Sequence, residues 1–179
     1  MRKSVLMSVV AVSIMTAYSV MAETNPSEKK EIPNELKWQV YLSPESKEAG
    51  STATIDSDGT FRATVKKGAA DFKEGGHHVQ FSTTVDLETG KEYNLSFTLD
   101  TDVKTLGLVA YLMSKPPYTF YFNKLINFDK GEAEYSCLII PKSDDGKLST
   151  PCILSFMLGT CYGANIVIRD VKLKEVEKR

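Results

Sequence analysis

The chain has 179 residues, of which 22 are Lys or Arg and 23 are Asp or Glu, giving a formal net charge of −1, and 42% are hydrophobic. Balanced charge without a basic block excludes a nucleic-acid surface, because displacing counterions needs clustered Lys and Arg. The length supplies one domain with a proper core and falls short of two ordinary ones.

The first element lies outside the fold. Arg2 and Lys3 precede an apolar run from Val5 to Met15, and Val20, Met21 and Ala22 then place small or aliphatic residues around a cleavage point. That is a secretory signal pattern, so residues 1–22 are expected to be removed after Ala22 and the protein to be secreted or periplasmic. The run is short for a membrane span and is broken by serines and a tyrosine. No cysteine follows it to carry a lipid. Residues 23–35 are polar and Pro-bearing and read as a flexible leader. Residues 36–176 form the domain and 177–179 a mixed-charge tail. A monomer that does not span the membrane is expected.

From Trp38 onward the dominant period is two. In "FRATV", Phe61, Ala63 and Val65 fall on one face and Arg62 and Thr64 on the other, and Asp58-Gly59 joins this run to "TATID". In "HHVQFS", His78, Gln80 and Ser82 lie opposite Val79 and Phe81. After a turn at Gly90, "YNLSFTL" puts Tyr93, Leu95, Phe97 and Leu99 inward and Asn94, Ser96 and Thr98 outward. Alternation of this kind marks strands with one buried face. "LGLVAYLM" is apolar on both faces, which fits a central strand covered on both sides.

In "PYTFYF", Tyr118, Phe120 and Phe122 share one phase, and the two phenylalanines are assigned to the core. Tyr121 takes the other phase, as Tyr111 does in its own strand. A turn at Asp144-Asp145-Gly146 precedes "CILSFML", where Cys152, Leu154, Phe156 and Leu158 point inward. In the last strand Ile166 and Ile168 are out of phase with Val171 and Leu173, so all four reach the core only across a β-bulge near Arg169-Asp170. About nine or ten short strands, separated by turns and without a helical period, specify an antiparallel β-sandwich.

Three cysteines in an oxidising compartment allow at most one internal disulfide. If Cys152 and Cys161 end one extended strand they lie too far apart to bond. Cys137 with either stays open, as does burial of all three as small hydrophobes.

The succession Trp38-x-Val40, "IDSDGTFRATV", "HHVQF", "LETGKEYNLSFTLD" and "LSFMLGT…ANIVIRDVKLKEV" resembles the carbohydrate-binding modules of the family 4/9/22 type. The resemblance runs from Trp38 to Val176. Its most specific parts are Gly90, Tyr93, Leu95, Ser96 and Phe97, and the stretch Ile166 to Leu173. It implies a galactose-binding-like β-jelly roll that binds a polysaccharide or oligosaccharide across a concave sheet without catalysis. A pyranose offers an apolar face to an aromatic ring and a rim of hydroxyls to planar polar groups. Two departures stand out: the Asn-Gly-Gly-Phe-Glu opening is missing, and His77 replaces a Trp common before the "xVQ" triplet.

On that resemblance the expected sugar contacts are Gln80 and His78 on their strand, His77 at its entrance, Tyr111 and Tyr121 as stacking platforms, Tyr118 at the rim and Arg62 forking onto hydroxyls. A solvated strand face accounts for the same polar pattern. Asp170 matches an acidic residue that holds a structural Ca²⁺ in the family, with Glu45 and Glu48 as candidate partners. A cap on the bulge is the other role open to Asp170.

Catalytic motifs are absent: there is no Gly-x-Ser-x-Gly, no His-Glu-x-x-His and no metal-spaced Cys/His cluster. Glu132 and Glu134 share a face and read as solvated carboxylates rather than a glycosidase pair. The protein is therefore read as a binding module and not an enzyme. A secreted protein–protein interaction or assembly module on the same sandwich is the rival function, since fold does not fix function.

Overall fold

The computed structural model describes residues 36–66, 76–116, 118–142, 146 and 148–176. The signal segment with its cleavage point, the leader, the tail and the Asp144-Asp145 turn lie outside the described residues. Ten strands and one short helix follow in the order β1 (Gln39–Leu42), α1 (Pro44–Glu48), β2 (Thr52–Ile55), β3 (Phe61–Thr64), β4 (Val79–Val85), β5 (Glu92–Thr101), β6 (Thr105–Met113), β7 (Phe120–Phe128), β8 (Gly131–Ile139), β9 (Cys152–Met157) and β10 (Asn165–Val176). They make two five-stranded antiparallel sheets, β1-β4-β9-β6-β7 and β2-β3-β10-β5-β8. The fold is an antiparallel β-jelly-roll sandwich in a single domain.

The alternation in the sequence becomes the inner faces of the two sheets. Phe61 of one sheet stacks on Phe81 of the other at 4.6 Å, and Trp38 stacks on Phe156 at 5.5 Å. Phe81, Phe156, Leu95, Leu99 and Leu112 are fully buried, each contributing about 1.5–3 kcal/mol relative to an exposed side chain. Turn chemistry holds the register. Thr60 N donates to Asp58 Oδ1 at 2.9 Å while Gly59 takes a φ of 81°, closing the β2–β3 hairpin.

The bulge anticipated in the last strand is present. Pairing between β10 and β5 shifts between Arg169 and Lys172, and Asp170 takes a φ of 56°. That extra residue restores Leu173 to the core, where it is 6% exposed. A second irregularity carries Gly107, whose φ is 104° and whose α-carbon lies against the Ile126 carbonyl, leaving no room for a side chain.

Helix α1 departs from the all-strand reading. Ser43 caps it by accepting from Ser46 N at 3.2 Å, and Pro44 opens it. Among the described residues Cys137, Cys152 and Cys161 form no disulfide, and all three are buried. Burial raises the thiol pKa of Cys137 and Cys152, which makes them packing residues rather than nucleophiles.

Candidate functional site

Registers across the β1-β4-β9-β6-β7 sheet define three rows on its outer face. Tyr41, Gln80, Met157, Val109 and Leu125 form one, because Tyr41 pairs with Gln80, Gln80 with Met157, Met157 with Val109 and Val109 with Leu125. Gln39, Ser82, Ser155, Tyr111 and Asn123 form the next, and Thr84, Ile153, Met113 and Phe120 the third. No residue of these rows is charged, and the exposed Lys37, two residues before Gln39 in the same phase, stands beside Thr84 at the end of the third row. Val109, Tyr111, Met113 and Met157 make a second apolar cluster with Ile153, apart from the main core. This is why β6 is apolar on both faces: one face feeds the core and the other feeds this strip.

The strip is enclosed, and the groups open to a ligand lie on its borders. Tyr41 is 44%, Phe120 54% and Leu125 46% exposed. The Phe120 ring lies 5.0 Å from that of Tyr111. Tyr118, also exposed, sits in the loop that enters β7. Ser155, fully buried, donates to Gln80 Oε1 at 3.0 Å. That bond engages the carboxamide through its oxygen and leaves the N–H₂ donors for other partners.

The two histidines stand at the end of the first row. Residues Gly76–His78 form a 3₁₀ turn into β4. A strand would send adjacent side chains to opposite sides, but in this turn the two imidazoles meet edge-on at 4.6 Å. His78 Nδ1 is hydrogen-bonded to Ser43 Oγ at 3.1 Å, and Ser43 N donates to the His78 carbonyl, tying the turn to α1. Burial, then the His78 charge, lower the His77 pKa against a smaller opposing pull from Glu45.

Two expected site residues are placed elsewhere, and Tyr111, though on this face, is 6% exposed within the enclosed strip and offers no open stacking platform. Tyr121 is not a stacking platform. A register shift between Leu112 and Met113 turns it into the main core, where its Oη accepts from Ser149 N at 3.0 Å. The same shift puts Phe120 outside, so the roles of these neighbours are exchanged, while Phe122 keeps to the core side. Arg62 belongs to β3 in the other sheet and pairs with Asp56 at 2.7 Å, away from this face.

Asp170 does not fit a calcium ion. Its carboxylate lies 3.8 Å from Arg169 Nε, and Lys172 shares its surroundings with Glu134, whereas Ca²⁺ takes about six to eight oxygen ligands and an excess of negative charge. Glu45 acts on His77 at α1 rather than on this bulge. Among the described residues no three His, Cys, Asp or Glu side chains converge on a metal position, and no helix is long and apolar enough to cross a membrane.

Tyr41, Asn123 and Ser155 are not singled out from the sequence, and Phe120 is assigned there to the core. Trp38, Val40 and Leu42 alternate toward the core side, so the opposite phase of Tyr41 was readable. The exchange of Phe120 for Tyr121 was not, since it depends on pairing with β6.

No protein-family model matches the sequence, and a search of curated proteins gives no match. Solved structures do match the fold. A CBM4 structure superposes with a TM-score of 0.61 at 20% identity, covering 82% of this chain and 95% of that one. The second N-terminal cellulose-binding domain of Cellulomonas fimi β-1,4-glucanase C gives 0.57 at 15% identity, covering 86% and 99%. The apo form of BiXyn10A CBM1 gives 0.55 at 16%, covering 84% and 97%.

Proposed function

We propose that this protein binds a neutral polysaccharide or oligosaccharide, without catalysis, on the outer face of the β1-β4-β9-β6-β7 sheet. The observation that carries this reading is the contrast between the two sheets. This outer face presents exposed aromatic rings, amides and hydroxyls in three rows without a charge. The opposite outer face carries the Arg169–Glu132 and Arg62–Asp56 ion pairs. A sugar has no formal charge to match, an apolar ring face to stack and hydroxyls to pair, which are the features of the first face. An exposed apolar border on a small protein also marks a contact surface. The structural neighbours described as cellulose-binding and CBM domains support the reading, as does the resemblance in motif order.

Tyr41, Phe120 and Tyr118 supply stacking surfaces in this proposal, and Gln80 and Asn123 supply planar polar groups. His78 is held by Ser43 at the end of the face. Export by the N-terminal signal segment would bring such a face to extracellular or periplasmic glycans. Affinity electrophoresis of the protein in gels containing soluble β-glucan, xylan or mannan tests the reading. Retardation in at least one gel, relieved by Phe120→Ala or Gln80→Ala, is expected. Unretarded migration in all three overturns it.

A further inference from the structure

The opposite sheet holds a feature that the proposed sugar face does not use. Three small side chains, Ser96, Thr98 and Ser136, lie side by side on the outer side of β5 and β8, because Ser96 pairs with Ser136 and Thr98 with Glu134. Across β5, Ser96 pairs with Lys172 and Thr98 with Arg169 of β10. Short side chains flanked by long ones leave a recess of about 350 Å³, walled by Glu134, Asp170 and Lys172. The bulge supplies one wall: Asp170, at a φ of 56°, is the added residue between the paired Arg169 and Lys172.

Apart from Asp170, which lies 3.8 Å from Arg169 Nε, the polar side chains of the recess have no partner among the described residues and face water. Among the described residues, Ser96, Thr98, Ser136, Glu134 and Lys172 have no side-chain hydrogen bond or ion pair, while nearby Arg169 and Glu132 are paired with each other. Thr98 is the telling member. It is the most enclosed of them, 9% exposed at the floor of the recess, so a ligand that fills the recess would displace water from it.

The chemistry of the walls selects the ligand. An anion would face Glu134 and Asp170, and a cation would face Lys172 and the neighbouring Arg169. Phe97 is buried and stacked on Tyr135 at 5.8 Å, so no open ring face is offered for an aromatic ligand. What remains is a neutral molecule with several hydroxyls, able to donate to the carboxylates and accept from the lysine and the Ser and Thr hydroxyls. The volume lies at the lower end of the roughly 300–1,000 Å³ range of small-molecule sites, which suits one ring rather than a chain. We propose that this recess is a second sugar site, on the sheet opposite the first, that takes a single neutral sugar unit through polar contacts alone.

Backbone amide NMR titration of the full chain with the methyl glycosides of glucose, xylose, mannose and galactose tests this site separately from the first. Amides of Ser96, Thr98, Ser136 and Lys172 report on the recess, and those of Gln80, Ser155 and Tyr111 report on the other face. Saturable shifts at the recess amides with at least one glycoside are expected. Thr98→Val should weaken that binding about tenfold, the loss of one hydrogen bond to a ligand, without lowering the melting temperature, because the hydroxyl it removes has no partner in the free protein. Lys172→Met, an exposed change that does not threaten folding, should weaken it similarly. Neither variant should alter shifts at Gln80 or Ser155. Recess amides silent to all four glycosides overturn the proposal. So do recess amides that move equally with glycine, which would assign the recess to a zwitterion. Silence at Gln80 and Ser155 alone would count against the first face only.

Discussion

Phe120 and Tyr121 are adjacent, and the structure predicts opposite consequences for truncating them. Tyr121 is 7% exposed in the main core, and its Oη accepts from Ser149 N. Tyr121→Ala therefore opens a cavity and removes the acceptor of Ser149 N, costing about 3–5 kcal/mol by analogy with other aromatic truncations, with little left of a small domain's stability. Phe120 is 54% exposed. Its side chain offers about half of a ring surface of roughly 150–250 Å² to a ligand. At about 25 cal/mol/Å², coverage of most of that surface by a sugar face is worth about 1–2.5 kcal/mol, or about 5- to 70-fold in Kd. Phe120→Ala should leave stability within about 1 kcal/mol and lose that affinity. Urea denaturation followed by tryptophan fluorescence measures the first quantity, and calorimetry on whichever glycan retards the protein measures the second. Unchanged affinity in Phe120→Ala would place the ligand elsewhere. A Tyr121→Ala variant as stable as the parent would show that the register shift at Leu112 is misassigned.

Gln80→Ala should weaken glycan binding by about 1–3 kcal/mol with folding intact, since it removes amide donors that the bond from Ser155 leaves for other partners; Ser96→Ala, on the other sheet, should not change binding at this face, and calorimetry reads both. The imidazole of His77 has its folded pKa held below 6.5 by burial and by His78. The unfolded chain therefore takes up this proton at higher pH than the folded one, so the contribution is constant above about 6.5 and stability falls as pH drops from there toward the lowered folded value. Thermal melts at about pH 7.5 and about pH 5 should show this loss, and His77→Gln should reduce it; an equal loss in the variant would assign the dependence to other groups. Melting curves with chelator and with millimolar calcium should coincide, because Asp170 lies between Arg169 and Lys172; a rise in melting temperature on adding the ion would reveal a site that the described residues do not form.

The inner faces were legible because burial imposes period two. Phe61, Leu95, Phe97, Phe156 and Ile168 follow from alternation alone, and the bulge at Asp170 follows from a phase conflict between Ile168 and Val171 that nothing else resolves. The outer face was legible where it shares that phase, as at Gln80 and Tyr111, but alternation could not show that Tyr111 is enclosed there. It was lost at Phe120, where one extra residue opposite Met113 reverses the phase of the strand, and at Arg62, whose sheet depends on a partner about 100 residues downstream, Val167 of β10. Helix α1 had a local signal in Ser43-Pro44, but five residues are too few for a hydrophobic period to develop. The contact between His77 and His78 was hidden because a 3₁₀ turn, not a strand, carries them.

The two outer faces also explain how the protein can present an apolar border without covering itself in one. Exposed apolar surface invites self-association unless charge elsewhere opposes it. Here the charges are unevenly spread: Arg62, Glu132, Glu134, Arg169 and Lys172 belong to the β2-β3-β10-β5-β8 sheet, and the rows of the other sheet carry none, with Lys37 and Lys124 at its two edges. Edge strand β7 marks the boundary, since Lys124 and Leu125 are both exposed and point to opposite sides. A surface meant only to stay soluble would interleave its charges over both sheets. Keeping the middle of one face uncharged costs solubility, and that cost is offset where the face meets a ligand that charge would repel or leave unpaired. The uncharged face is accordingly the stronger argument for sugar binding than any one aromatic ring on it, because a single exposed tyrosine is ordinary, whereas three rows without a charge in a chain that is one-quarter charged are not.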